Sequence, residues 1–97
     1  MDLTEELTRI ERVFKALGNS NRLKILSLVT NHEGICAKEI AQQLELSQPD
    51  ISYHISKLAE VDIVGREREG TRYCYDLNQK TLQRVGLNPE IFLDLRR

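Results

Sequence analysis

Cysteine is almost missing from this 97-residue chain, which carries only Cys36 and Cys74. Two cysteines cannot build the multi-bridge framework of a small secreted domain, and their spacing is no Cys-x-x-Cys zinc pattern, so reduced thiols are the default. Two prolines and five glycines are too few for a collagen-like or disordered chain. No apolar run approaches the roughly 18 residues that cross a bilayer. The first residues, MDLTEELTRIE, are acidic where a signal segment would start basic. A soluble, cytoplasmic protein with no membrane partner is expected. A basic excess is lacking too: the net charge is −1 and the pI near 6.1, whereas a dedicated nucleic-acid binder is usually basic. Any cationic surface must therefore be local.

What is present, 40% hydrophobic and 30% charged residues, describes a single globular module over residues 1–97. A chain of this length buries only about 60 to 65% of its unfolded surface, so its core gains from a partner subunit. Leu3, Leu7, Ile10, Phe14 and Leu17 recur at steps of four and three, the narrow stripe of a helix that packs on another helix. After Gly18, the caps Asn19 and Ser20 open a second helix, with Leu23, Ile25, Leu26, Leu28 and Val29 as a wide apolar face. Residues 37–45 and 48–60 form a further pair of helices joined by a short link. Ser47 caps the second, and Pro49 stands in its first turn. Ile51, Ile55 and Leu58 claim the core side of that helix, which leaves Gln48, Ser52, Tyr53, Ser56 and Lys57 off it. His54 borders the core, where a hydrogen bond is its usual role.

After Asp62 the period becomes alternating: IVGRER, a turn at Glu69 and Gly70, then TRYCYDL, a β-hairpin over residues 63–77. That turn sets Glu67 opposite Arg72 and Val64 opposite Tyr75, gathers Arg66, Arg68 and Arg72 toward the tip, and puts Tyr73 with Tyr75 in the hairpin's core. The tail, residues 78–97, reads as a helix capped by Asn78, stopped at Gly86 and reopened at Asn88 and Pro89. Leu82, Val85, Leu87, Ile91, Phe92 and Leu95 are too many apolar groups for a free tail. The expected dimer interface joins residues 1–17 to residues 78–97, through Leu3, Leu7, Ile10, Phe14, Leu82, Val85, Ile91, Phe92 and Leu95.

The fold class is therefore mainly α with a small β-hairpin wing: a dimeric winged helix-turn-helix, with residues 37–60 as the helix-turn-helix. In ALGNSNRLKIL (16–26), EIAQQLELSQPDISYHISKL (39–58) and IVGREREGTRYCYDL (63–77), about half the chain, it resembles the ArsR/SmtB family of bacterial and archaeal winged-helix repressors. The resemblance implies a homodimer that blocks a promoter and releases it on sensing a metal, a metalloid or a thiol oxidant. Gln48, Ser52 and Tyr53 are the candidates for base or phosphate contact, with Ser47 as cap first and contact second. Arg66, Arg68 and Arg72 are candidates for backbone contact at the wing, and Lys38 and Lys57 are weaker ones. Many family members carry a Cys-x-Cys before the recognition helix. Aligned on EIAQ, Cys36 takes the first position but Lys38 the second, and residues 78–97 hold no His or Cys. One thiol with a distant His32 is no thiophilic site, so neither metal nor other cofactor is expected.

The short stretch before a helix-turn-helix commonly lies as a third strand against the returning strand of the wing, which would bring Cys36 near Cys74. Oxidation would then pull the hairpin toward the helix-turn-helix and shift Arg68 and Arg72 off phosphates. The more ordinary role for each cysteine is a small buried hydrophobe. The leading function is a sequence-specific repressor of double-stranded DNA, bound at an inverted repeat and released by an effector other than a classical metal. The competing one is a winged-helix module that binds protein and not DNA. An enzyme is not expected: no nucleophile sits beside a base, and no carboxylate pair frames a pocket.

Overall fold

The computed structural model describes residues 2–93, so Leu95 lies outside the described residues. The order is α1 (Leu3–Leu17), α2 (Ser20–Asn31), β1 (Ile35–Cys36), α3 (Ala37–Leu44), α4 (Gln48–Glu60), β2 (Val64–Glu69), β3 (Arg72–Leu77), α5 (Gln79–Arg84) and a 3-10 turn, Pro89–Phe92. It is mainly helical, with one antiparallel sheet of strand order β1-β3-β2.

Three of the helices start where a side chain satisfies an orphan amide. The Asp2 carboxylate accepts from the Glu5 N–H at 2.8 Å, Asn19 Oδ1 from Arg22 N–H at 3.1 Å, and Ser47 Oγ from Asp50 N–H at 3.2 Å. Helix α3 stops one residue earlier than its pattern predicts, because Glu45 turns left-handed at φ 55°. That turn swings the chain into α4. Asn78 does not cap with its side chain; its backbone N–H donates to the Ile63 carbonyl at 2.8 Å.

The core joins Ile25 and Leu26 of α2, Ile40 of α3, Ile51 and Leu58 of α4, Ile63, and Leu82 of α5, all fully buried. Leu23 lies off this face and is exposed. Only the last turns of α1, with Val13, Ala16 and Leu17, pack into the protomer. Two expected interface residues are corrected here. Leu82 and Phe92 are 0% and 2% exposed within their own chain, so neither has surface left for a partner. Leu82 follows Thr81, whose Oγ1 donates to the Asp62 carbonyl at 2.6 Å, and the Phe92 carbonyl accepts from Asn31 Nδ2 at 3.2 Å. Val85 is half-buried against the same core. Leu82→Ala should therefore destabilise the protomer by about 2 to 5 kcal/mol in chemical denaturation, the range for emptying a packed leucine site. A destabilisation below about 1 kcal/mol would contradict this placement.

The hairpin register differs from the expected one by two residues. Glu69 pairs with Arg72, Arg68 with Tyr73, Glu67 with Cys74, Arg66 with Tyr75 and Val64 with Leu77. The loop is Gly70 and Thr71, because the position that needs positive φ is the first of the two, and Gly70 at φ 63° fills it. Glu67 accordingly faces Cys74 and not Arg72. On the other edge of β3, Ile35 pairs with Tyr75 and Cys36 with Cys74.

Candidate nucleic-acid interface

Helix α4 presents two unlike sides. Ile51, Ile55 and Leu58 are buried, while Gln48, Ser52, Tyr53 and Ser56 are exposed. Tyr53 is 54% exposed. Its ring meets that of His54 edge-on, with centroids 5.4 Å apart, and carries the Lys57 ammonium 5.6 Å from its centre. Lys57 also pairs with Glu60 at 3.8 Å, which reduces the charge it can offer elsewhere. Ser56 Oγ donates to the Tyr53 carbonyl at 2.7 Å. The Ser47 hydroxyl is engaged as the cap, and Lys38 stands in the first turn of α3.

The seat of α4 depends on a contact that no local pattern announces. Arg22 Nε donates to His54 Nδ1 at 3.2 Å, and Arg22 Nη1 donates to the Ala16 carbonyl at 3.3 Å. One guanidinium thus fastens the end of α1 and the start of α2 to the middle of α4. The two partners lie 32 residues apart, so only the folded chain reveals the pairing.

On the wing, the pleat sorts the charges. In the run Arg66, Glu67, Arg68, Glu69, alternate side chains point to opposite faces. The register puts Arg66 and Arg68 on the face of Tyr73 and Tyr75, and Glu67 and Glu69 on that of Arg72 and Cys74. The acidic residues therefore do not interleave with the two arginines, and local cationic surface exists on a chain of net charge −1. Arg66 stacks on Tyr73, its guanidinium carbon 4.2 Å from the ring centre, and Arg68 Nε donates to the Gly70 carbonyl at 2.9 Å. Tyr73 is consequently an exposed platform and not hairpin core. Tyr75 is buried; its burial raises the phenol above its usual pKa, which Arg66 opposes and Tyr73 reinforces. Arg72 stands apart from the other two arginines. It lies on the opposite face and pairs with Glu39 of α3 at 3.9 Å.

This helix-turn-helix and wing have known counterparts. The family model described as bacterial regulatory protein, arsR family, matches residues 19–65, from the cap of α2 into β2. The arsenical resistance operon repressor of Staphylococcus aureus is 30% identical over 82 residues, 84% of this chain and 78% of the relative. The chain belongs to the ArsR family. A second relative, the transcriptional repressor SdpR of Bacillus subtilis, is 34% identical over 76% of this chain and 81% of its own. Among solved structures, the homodimeric winged helix-turn-helix DNA-binding domain of Mb0332 from Mycobacterium bovis, a possible ArsR-family regulator, superposes with a TM-score of 0.77. It is 28% identical and aligned over 84% of this chain and 76% of that one. The present chain is thus an ArsR-type DNA-binding transcriptional regulator with a winged helix-turn-helix fold.

Among the described residues, no three His, Cys, Asp or Glu side chains gather as a metal-holding group, and no helix is long and apolar enough to cross a membrane. The sulfurs of Cys36 and Cys74 are joined, with Cα atoms 4.2 Å apart. Cys36 ends β1 and immediately precedes α3 as its N-cap residue, and Cys74 lies in the middle of the wing's returning strand.

Proposed function

We propose that this ArsR-family chain acts as a homodimeric repressor that binds inverted-repeat duplex DNA. The first turns of α4 read base edges through Gln48 and Ser52, with Tyr53 beside them, and the wing holds the phosphate backbone through Arg66 and Arg68. Lys38, Lys57 and Arg72 contribute less, the latter two because each is paired with a glutamate. The observation that carries this reading is the sorting of the RERE run by the strand pleat, which offers phosphates a face of arginine and tyrosine without its glutamates. Dimerisation uses the exposed stripe of α1, together with Ile91 beyond α5. The releasing effector is other than a classical metal ion, a reading supported by Lys38 at the second position of the family's Cys-x-Cys stretch, which leaves Cys36 as its one thiol.

Selection of bound sequences from random duplex tests the reading. An inverted repeat should emerge, its half-sites centred about one helical turn, roughly 34 Å, apart. Gln48→Ala or Ser52→Ala should change the preferred bases, each missing pair costing roughly 1 to 3 kcal/mol of discrimination. Selection of the wild-type sequence by both variants would overturn the assignment of α4, and a single half-site would overturn the dimer.

A further inference from the structure

A groove between α1 and α4 gathers cations that the wing does not account for. Arg12 and Lys15 of α1, Arg22 of α2 and Lys57 of α4 line it, and Glu60 is the one carboxylate among its lining residues. On α1 the residues Arg12, Lys15 and Ala16 stand three and four positions apart, as do Lys57, Glu60 and Val61 on α4, so each helix turns one side to the groove. Ala16 is buried and Val61 half-buried, which sets charged walls on an apolar floor. Arg22 is the strut that keeps the two helices in this relation, through its bonds to the Ala16 carbonyl and to His54 Nδ1. At about 170 Å³ the groove has room for a phosphate group but not for a small organic ligand, whose sites run to roughly 300 Å³ and more.

The positive charge of the groove survives its internal pairing. Lys15 lies 3.8 Å from Glu11 and Lys57 3.8 Å from Glu60, in pairs open to solvent, and contacts of that kind are weak enough to give way to a stronger anion. Arg12 forms no ion pair among the described residues. The two acceptors of Arg22, a carbonyl and an imidazole nitrogen, carry no negative charge. Two guanidiniums are therefore in excess here, on a chain whose net charge is −1.

The groove adjoins the exposed side of α4, because Lys57 in its wall holds its ammonium 5.6 Å from the centre of the exposed Tyr53 ring. Arg12 is two positions from both Ile10 and Phe14, about 200° around the helix, and so faces away from the apolar stripe of α1. Covering that stripe leaves the groove open. We propose that the groove is a second phosphate-holding surface, in which Arg12 and Lys15, backed by Arg22 and Lys57, grip the duplex backbone beside α4. The proposal rests on the DNA-binding function given above. A helix in the major groove has a phosphate strand on either flank, and the wing supplies Arg66 and Arg68 from β2 alone. Each phosphate held by the groove adds about 0.9 to the steepness of the salt dependence.

The test titrates the full chain with selected and random-sequence duplex across a range of salt. Arg12→Gln combined with Lys15→Gln keeps good helix formers in α1. It should weaken binding to both duplexes roughly tenfold or more near 0.1 M salt and flatten the slope by about 0.9 for each phosphate that loses its cation, with base preference unchanged. Arg12→Lys with Lys15→Arg keeps both charges and should keep the slope. Lys80→Gln removes a charge from the exposed side of α5, outside the groove, and should leave the slope as it is. A wild-type slope in the double glutamine variant would overturn the groove alone, and so would an equal change from Lys80→Gln, which would make the effect one of net charge. Loss of the dimer on sedimentation of the double glutamine variant would assign the groove to the partner's acidic residues and overturn its role toward DNA. A wild-type protein that binds no duplex at low salt would overturn the DNA-binding function, and the groove with it.

Discussion

Replacement of Leu7 and Phe14 together by glutamate should leave a folded protomer that sediments as a monomer and binds the selected inverted repeat roughly 100- to 10,000-fold more weakly. Leu3, Leu7, Ile10 and Phe14 are 69, 54, 37 and 47% exposed. They share one side of an amphipathic helix whose buried residues all lie in its last turns. An apolar stripe of this length, rimmed by charge, is the mark of a protein interface. Because these side chains take no part in the protomer's core, the double substitution should change association and not folding. Its effect on DNA follows from arithmetic: two half-sites joined in one complex bind with an affinity that neither reaches alone. Sedimentation of the variant and the wild type at micromolar concentration is the check. A wild-type monomer, or a variant that remains dimeric, would contradict the prediction.

Arg66→Ala combined with Arg68→Ala should weaken binding roughly 10- to 100-fold on every sequence and lower the salt slope by about 0.9 for each phosphate left without its arginine. Base preference should stay the same, because backbone contacts carry no direct sequence information. Arg72→Ala should cost less, since that guanidinium lies on the opposite face of the wing and is committed to Glu39. Titration of selected and random duplexes across a range of salt separates these outcomes. Equal effects of Arg68→Ala and Arg72→Ala, or a changed base preference, would contradict the division of the wing into two faces.

Much of this architecture is legible in the residues themselves. The steps of four and three from Leu3 to Leu17 delimit α1, the Ser47 cap and Pro49 mark the start of α4, and the change to alternation after Asp62 announces the hairpin. The failures have a common physical origin. Apolar spacing says that a face is covered but not by what, which is why Leu82 and Phe92 read as interface when the protomer's own core takes them. Turn residues announce a hairpin, yet the register depends on which loop position needs positive φ. Gly70 occupies the first position, so every cross-strand pair differs from the expected set. The arginine sorting follows directly from that register. Arg22 with His54 was beyond reach, because nothing at either residue names a partner 32 positions away.

The salt dependence of duplex binding by the full chain tests the central claim most directly. With Arg66 and Arg68 of each protomer on phosphates, the logarithm of the binding constant should fall linearly with the logarithm of salt concentration, at a slope of about −3.6 or steeper. Absence of duplex binding at low salt, or binding that ignores salt, would contradict the account and favour a surface built for protein.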